Sequence, residues 1–513
     1  MDLSNSKYLI ETPDFSGIPK LERLDLSGCT SLTKVHPLIG LLENLVFLSL
    51  RNCRNLIDIY FGKESSLRSL KVMHLSGCTK LEITPDFKSA AYLEYLDIDG
   101  CISLSSVDDS IGALSKLTFL SLRDCKNLVS MPNTINIMTS LQTLDLRGCL
   151  KLTNLPLGHT FISSSDLKLL IFLDLSFCNL LEVPDAIRML RCLERLNLQG
   201  NNFVSIPYDS ISWLHRLAYL NLSYCHNLED LPELPVGVAS SAGKYFKIVA
   251  GSRDQRSGLY IFDCPKVAQN FPNIETPYKY SLGWLVRLIE EPNHFRCGFD
   301  IVIPWSWGAD QFPLDNYRVF GGGPVIMVNK FIEVDNWIGF VFSVLFEVNK
   351  HPEVSSSSHC SFSRSSQHPF YLSFESEFTE EYFDMALNLE VDTIDRSTHL
   401  WIIYISRQHC HFVKSGAHIA FKGHPHVKII KWGISSIYRE DIDDLKMMQQ
   451  EQPFPHNRND VNFDYVEKRS YKESNSCSEP KIQIPYNWLV TDEDEAENIN
   501  AKAKGKALSY AGL

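Results

Sequence analysis

Leu21-Glu22-Arg23-Leu24-Asp25-Leu26-Ser27-Gly28-Cys29 opens a pattern that the chain repeats eight more times. The copies are LVFLSLRNC (45–53), LKVMHLSGC (70–78), LEYLDIDGC (93–101), LTFLSLRDC (117–125), LQTLDLRGC (141–149), LIFLDLSFC (170–178), LERLNLQGN (193–201) and LAYLNLSYC (217–225). Their last positions lie 24, 25, 23, 24, 24, 29, 23 and 24 residues apart, and the one long interval carries an insertion around Gly158 to Ser165. A near-constant period of this length marks stacked structural units.

Within each copy the L-x-L alternation predicts a short strand with one buried face. One unit cannot bury its apolar side alone, but stacked neighbours can, which gives a curved solenoid. Between the strands lie segments such as HPLIGLLENL, MPNTINIMTSL and IPYDSISWLHRL. There a Pro opens a turn and apolar residues follow at helix-like spacing, which predicts short helices or 3₁₀ turns on the convex side.

The side chains between the leucines form columns that cross the units. The first reads Arg23, Phe47, Val72, Tyr95, Phe119, Thr143, Phe172, Arg195, Tyr219; the second Asp25, Ser49, His74, Asp97, Ser121, Asp145, Asp174, Asn197, Asn221; the third Ser27, Arg51, Ser76, Asp99, Arg123, Arg147, Ser176, Gln199, Ser223. Aromatic anchors flanked by arginines and acids have the composition of a protein-binding surface. The candidate binding residues are therefore Phe47, Tyr95, Phe119, Phe172 and Tyr219, with Asp97, Arg123, Asp145 and Arg147. The competing reading is that the rings pack on one another and the aspartates follow the L-D-L habit of the repeat.

The pattern resembles a leucine-rich-repeat array. The closing position is Cys at 29, 53, 78, 101, 125, 149, 178 and 225, and Asn only at 201. L-x-L-S-G-C followed by L-x-x-(L/I)-P is similar to the intracellular immune receptors of plants, the TIR-type nucleotide-binding leucine-rich-repeat disease resistance proteins. The cysteines read as small buried thiols bonded to carbonyls. Met1 to Ser6 aligns with Leu24 to Cys29, so the sequence starts halfway through a unit. The expectation is an upstream segment or a truncated gene product; the resemblance implies a TIR domain and a nucleotide-binding module there. The phosphate loop G-x-x-x-x-G-K-(S/T) does not occur, and Gly321-Gly322-Gly323-Pro324 reads as a turn. No cofactor is expected on this chain, since ADP or ATP would belong to the upstream module.

Repetition stops after Leu231 to Pro235, and residues 236–298 read as a cap and linker to the solenoid of residues 1–235. From Phe299 the texture changes to strand-like runs rich in β-branched and aromatic residues: 299–305, 324–328, 336–348, 370–376, 398–406, 417–422 and 427–438. They predict an antiparallel sandwich over 299–440. The runs resemble the jelly-roll/Ig-like domain that follows the repeats in the same receptors. The matching pieces are Phe299 to Pro304, Phe320-Gly321-Gly322 with Val325-Ile326, Trp337 to Phe340, His399-Leu400-Trp401 with Tyr404, and Lys431-Trp432-Gly433 with Ile437-Tyr438. Family members follow the first strand with a Gly-Ser-x-Ile-Pro-x-Trp-Phe-like segment; Trp305 to Phe312 stands there without it. The expected fold class is thus an α/β leucine-rich-repeat solenoid followed by an all-β jelly-roll/Ig-like sandwich. Residues 441–513 read as a polar, flexible tail with the acidic run Asp492 to Glu495.

The chain has 513 residues and a net charge of -12, which disfavours nucleic acid as principal partner. The longest apolar run, Trp337 to Phe346, is short of the ~20 residues of a membrane span. The N-terminus has no secretory signal, so the 14 cysteines read as reduced thiols and the location as cytoplasmic or nuclear. His409-Cys410-His411 reads as a strand edge in preference to a zinc site, and no enzyme motif is present. The resemblance implies a non-enzymatic module that senses a pathogen effector protein and, in the full receptor, restrains the nucleotide-binding domain in cis or trans. The alternatives are a stand-alone repeat adaptor or inhibitor, and a truncated receptor remnant without signalling activity.

Overall fold

The L-x-L triplets become nine three-residue strands: β1 Arg23–Asp25, β2 Phe47–Ser49, β3 Val72–His74, β4 Tyr95–Asp97, β5 Phe119–Ser121, β6 Thr143–Asp145, β7 Phe172–Asp174, β8 Arg195–Asn197 and β9 Tyr219–Asn221. The computed structural model describes residues 1–153, 155, 167–232, 234–235, 257–270, 286, 299–305, 318–321, 325–328, 336–348, 368–376, 382–389, 397–407, 417–422 and 427–442. The nine strands pair in sequence order, all parallel. Short 3₁₀ helices at Pro37–Leu41, Asp109–Ala113, Asn133–Ile137 and Asp185–Met189, and helix α1 at Tyr208–Ser212, return the chain between strands.

The strands stop after three residues for a local reason. The residue before each closing Cys or Asn takes a left-handed conformation: Gly28, Asn52, Gly77, Gly100, Asp124, Gly148, Phe177, Gly200 and Tyr224 all have positive φ. Glycine and asparagine reach that region at little cost, which accounts for the Ser-Gly-Cys signature. The turn then buries the closing side chain. Each ladder thiol donates to the carbonyl of an earlier unit: Cys53 to Leu26 O, Cys78 to Leu50 O and Cys101 to Leu75 O at 3.2 Å, and Cys125 to Ile98 O at 3.3 Å. Asn201 makes the same link through Nδ2 to Leu175 O at 2.8 Å. The frame leucines form one core that runs through all the units.

The expected boundary at residue 235 needs correction. Strand β10, Ser257–Tyr260, pairs parallel with β9, Leu259 standing beside Leu220. Asp263 takes the left-handed turn conformation and Cys264 Sγ donates to Leu222 O at 3.2 Å, so a tenth rung lies inside the stretch expected to be cap and linker. Helix α2, Pro265–Asn270, follows it.

The sheet continues without a break into the second half. Strand β11, Phe299–Pro304, pairs parallel with β10. Next, in antiparallel order, come β17 (Ser397–Ser406), β14 (Trp337–Val348), β19 (Val427–Tyr438) and β12 (Arg318–Gly321), closing a 15-stranded sheet. Strands β13 (Val325–Val328), β18 (Ala417–Lys422), β15 (His368–Ser376) and β16 (Tyr382–Leu389) form a separate antiparallel sheet. The larger sheet of the second half is thus a continuation of the solenoid's own sheet. Both its faces merge with the repeats. Ile301, Leu345, Leu400 and Ile402 join the repeat core, while Phe342, Phe346 and Trp401 join a cluster with Tyr219, Tyr224, Tyr260 and Phe262.

Buried polar groups fix the seam. A Cβ at Gly258 would stand 2.0 Å from Asp300 O, so only glycine admits β11 there. Asp300 accepts from the Tyr260 hydroxyl and, at 2.9 Å, from Trp401 Nε1. His399 Nε2 accepts the Asp263 N–H at 3.0 Å, with the ring 4.2 Å from Phe262. His409 to His411, Ser306 to Phe312, Gly322 to Pro324 and the tail beyond Ile442 lie outside the described residues.

Two measurements test this account. Burial raises the ladder thiols, Cys53 to about 12 and Cys225 to about 12. Nine described cysteines are free and buried. The ladder thiols should therefore stay silent toward a thiol reagent at pH 8 until denaturant unfolds the array; native-state labelling of Cys53 would contradict it. Burial alone pushes the His399 imidazole down to about 3. Below the unfolded value of about 6.5 the unfolded chain binds the extra proton, so the seam loses stability as pH falls through that window. Wild type should lose about 2 kcal/mol more than His399→Gln between pH 6.5 and 5, read by denaturant titration.

Candidate functional site

The strand register assembles the three columns. Arg23, Phe47, Val72, Tyr95, Phe119, Thr143, Phe172, Arg195 and Tyr219 are successive partners across the sheet. All nine expected binding residues share one inner wall. Their exposure divides them. Phe47 (3%), Tyr95 (4%), Phe172 (8%) and Tyr219 (8%) are buried, and Phe119 is half-buried. Strands ~4.8 Å apart bring rings on neighbouring rungs into contact. Tyr95 and Phe119 stack at 4.3 Å, and His74 sits between Phe47 and Tyr95 at 5.6 and 5.2 Å. The Arg23 guanidinium covers Phe47 at 3.6 Å and that of Arg195 covers Tyr219 at 4.0 Å. Four of the five rings are therefore packing groups of the wall, a correction to their reading as free anchors.

The second column ends the strands. Asp25, Asp97, Asp145 and Asp174 each accept, through Oδ1, the backbone N–H two residues on, and Asn197 and Asn221 do the same. This is an Asx turn, available to either side chain. Asp97 is further held by His74 Nδ1 at 3.2 Å and Arg51 at 3.6 Å. Burial opposes its charge, but the His74 hydrogen bond and the interactions with His74 and Arg51 outweigh it and hold its carboxyl below the usual range.

The third column is the reachable one. Arg51, Ser76, Asp99, Arg123 and Arg147 are half-buried, whereas Ser176, Gln199 and Ser223 are buried. The wall is thus open from Asp25 to Arg147 and closed from Phe172 onward. Here burial and the Asp174 charge raise Asp145 to about 6, and burial with the charges of Asp97 and Asp145 raises Asp99. Asp99 accepts from the Ser121 hydroxyl and, at 3.0 Å, from the Arg123 N–H. Arg123 stays protonated because Asp145, Asp99 and Asp174 outweigh its desolvation. Of the expected set, Phe119, Arg123, Asp145 and Arg147 lie on this open stretch. Arg51 and Asp99 join them, having stood in the columns without being singled out.

The period, the parallel register and the continuous leucine core define a leucine-rich-repeat solenoid. No family model matches the chain. Over 46% of its length it is 31% identical to TMV resistance protein N of Nicotiana glutinosa and 30% identical to disease resistance protein RPS4B of Arabidopsis thaliana, covering 24% and 17% of those proteins. Over 19% of its length it is 39% identical to Arabidopsis disease resistance protein RPP4, covering 8% of it. The homologues of the chain are TIR-type nucleotide-binding leucine-rich-repeat disease resistance proteins of plants, as the repeat signature implied. The chain spans a quarter or less of their length. Among solved structures, the leucine-rich-repeat domain of the type III effector XopL aligns over 36% of the chain and 58% of its own length, at 22% identity and a TM-score of 0.27.

Asp145 yields a test of this electrostatic picture. Its folded value lies above the ~3.9 of an unfolded aspartate, so its ionised form costs stability above pH 6 and the cost vanishes as pH falls toward 4. Asp145→Asn keeps the Asx turn, as Asn197 does at 3.2 Å. The variant should gain about 1 kcal/mol at pH 7.5 and nothing at pH 4; a loss at pH 7.5 would show that the charge supports the fold.

Proposed function

We propose that this chain is the recognition half of an intracellular plant immune receptor, and that the open wall from Asp25 to Arg147 receives a pathogen effector protein. The observation that carries the reading is the division along one wall. Buried rings and Asx turns hold its shape, while Arg51, Asp99, Arg123, Asp145 and Arg147 remain within reach beside Phe119. Arginines beside a partly covered ring are the residue types that dominate protein interfaces. Relatedness to disease resistance proteins supports the same reading.

The role is binding, with no catalysis by this chain. In the full receptor the array would also pack against the nucleotide-binding module and hold it inactive. An effector that binds one state better than the other would shift that balance by its differential affinity. The second half, read as a jelly-roll/Ig-like domain, would add its loops to the contact. No described helix is long and apolar enough to cross a membrane, and the proposed location is cytoplasmic or nuclear.

The test is binding of candidate effectors to the chain and to Arg123→Glu/Arg147→Glu. Reversing the charge of two half-buried arginines should weaken a binding pair by roughly tenfold or more. Phe172→Ala instead should cost about 3 kcal/mol of stability, because its ring is buried. Undiminished binding by the double arginine variant would reject the open wall as the site.

A further inference from the structure

One rim of the solenoid has a charge opposite to that of the chain. Take, in each rung up to Cys149, the four residues from the left-handed position to two past the closing position. They hold Lys7, Arg54, Lys80, Lys126 and Lys151 against Asp124, a net +4 in a chain of net -12. The same turn presents them in each rung, as Lys7, Arg54 and Lys126 each donate their N–H to the carbonyl two residues back. Lys7, Arg54, Lys80 and Lys151 are exposed, and none has a carboxylate within salt-bridge distance among the described residues. The rungs of Cys53 to Cys149 span about 19 Å of strand spacing, the length of about six extended residues.

The chain carries a segment of that length and the opposite charge. Asp492-Glu493-Asp494-Glu495-Ala496-Glu497 holds five carboxylates in six residues. We propose that this acidic run docks on the basic rim between Cys53 and Cys149. From Ile442, which follows β19, eight strand spacings lead back to β6, about 38 Å. The 49 residues between Ile442 and Asp492 reach about 160 Å at most, more than that distance. A run on the same chain competes at an effective concentration set by its own tether, which favours contacts that are individually weak. Third-column arginines of the open wall border the same rim, so the docked run meets any partner at the edge of its surface.

The test uses the full chain and a variant carrying Asp492→Asn, Glu493→Gln, Asp494→Asn, Glu495→Gln and Glu497→Gln. The probe is a labelled synthetic peptide of residues 488–499. The neutralised variant should bind it roughly tenfold more tightly than the unaltered chain, in which the tethered run competes. Raising salt from about 50 to about 300 mM should weaken that binding. Adding Lys80→Glu, Lys126→Glu and Lys151→Glu should abolish it, and adding Lys20→Glu with Lys116→Glu, off the rim, should leave it intact. Equal affinity for both chains, or binding that survives the rim reversals, overturns the proposal. So does an oligothymidylate of about 20 nucleotides that binds more tightly than the peptide and displaces it, because the rim is then a nucleic-acid surface. Carbodiimide cross-linking of the unaltered chain needs no variant to fold. It should join residues 492–497 to Lys80, Lys126 or Lys151, and links confined to other lysines overturn the assignment.

Discussion

A buried thiol donating to the carbonyl of the rung before it is the contact that the rest of this structure depends on. Cys29, Cys53, Cys78, Cys101, Cys125, Cys149, Cys178, Cys225 and Cys264 all make it, and Asn201 substitutes an amide. The link requires the chain to turn inward at once after each strand. A left-handed residue precedes every closing position and an Asx side chain ends many of the strands, so strands cannot lengthen. Because every strand is short and starts in register with the next, the side chains between the leucines fall into straight columns. The inner wall is a consequence of how the turn is satisfied.

The same ladder explains how the solenoid ends. A parallel stack leaves a strand edge with unpaired N–H and C=O groups, which natural sheets cover or pair. Here β10 adds a last rung and β11 takes its edge, after which the sheet turns antiparallel through β17. Asp300, Tyr260, Trp401, Asp263 and His399 place hydrogen bonds at the seam, among them two that cross from repeat to second half. Separating the halves would expose a strand edge, two apolar faces and these polar groups together. The two halves are therefore one mechanical body along this sheet.

Nine rungs were legible because period and alternation are properties of sequence alone. The tenth was not: 39 residues separate Cys225 from Cys264, and Arg256 stands where the leading Leu belongs. Column membership was legible for the same reason as the rungs. Burial was not, since it depends on rings from different rungs meeting across the strand spacing, as Tyr95 and Phe119 do. Column-two aspartates look like ligand-binding groups in a sequence and prove to be turn caps. Phe177 and Tyr224, bulky side chains in the left-handed region, break the Gly/Asn rule that made the other turns readable. Strand β12 is too short, and β16 too interrupted by Asp384 and Asn388, to show a strand pattern.

The wall separates what holds the fold from what can contact a partner. Truncating a frame leucine costs about 2–5 kcal/mol, a large share of the stability of any domain. Changing a half-exposed third-column residue costs about 0.5 kcal/mol or less where its side chain bonds to no buried group. Arg51, Asp99, Arg123 and Arg147 stand in that column, and of these Asp99 also accepts the Arg123 N–H and Arg51 pairs with Asp97. A surface built this way can change its chemistry residue by residue while the frame beneath it stays fixed. That freedom ends where Ser176, Gln199 and Ser223 are buried. From there on, a change of side chain is a change of core, and side chains can be exchanged cheaply only in the rungs that precede it.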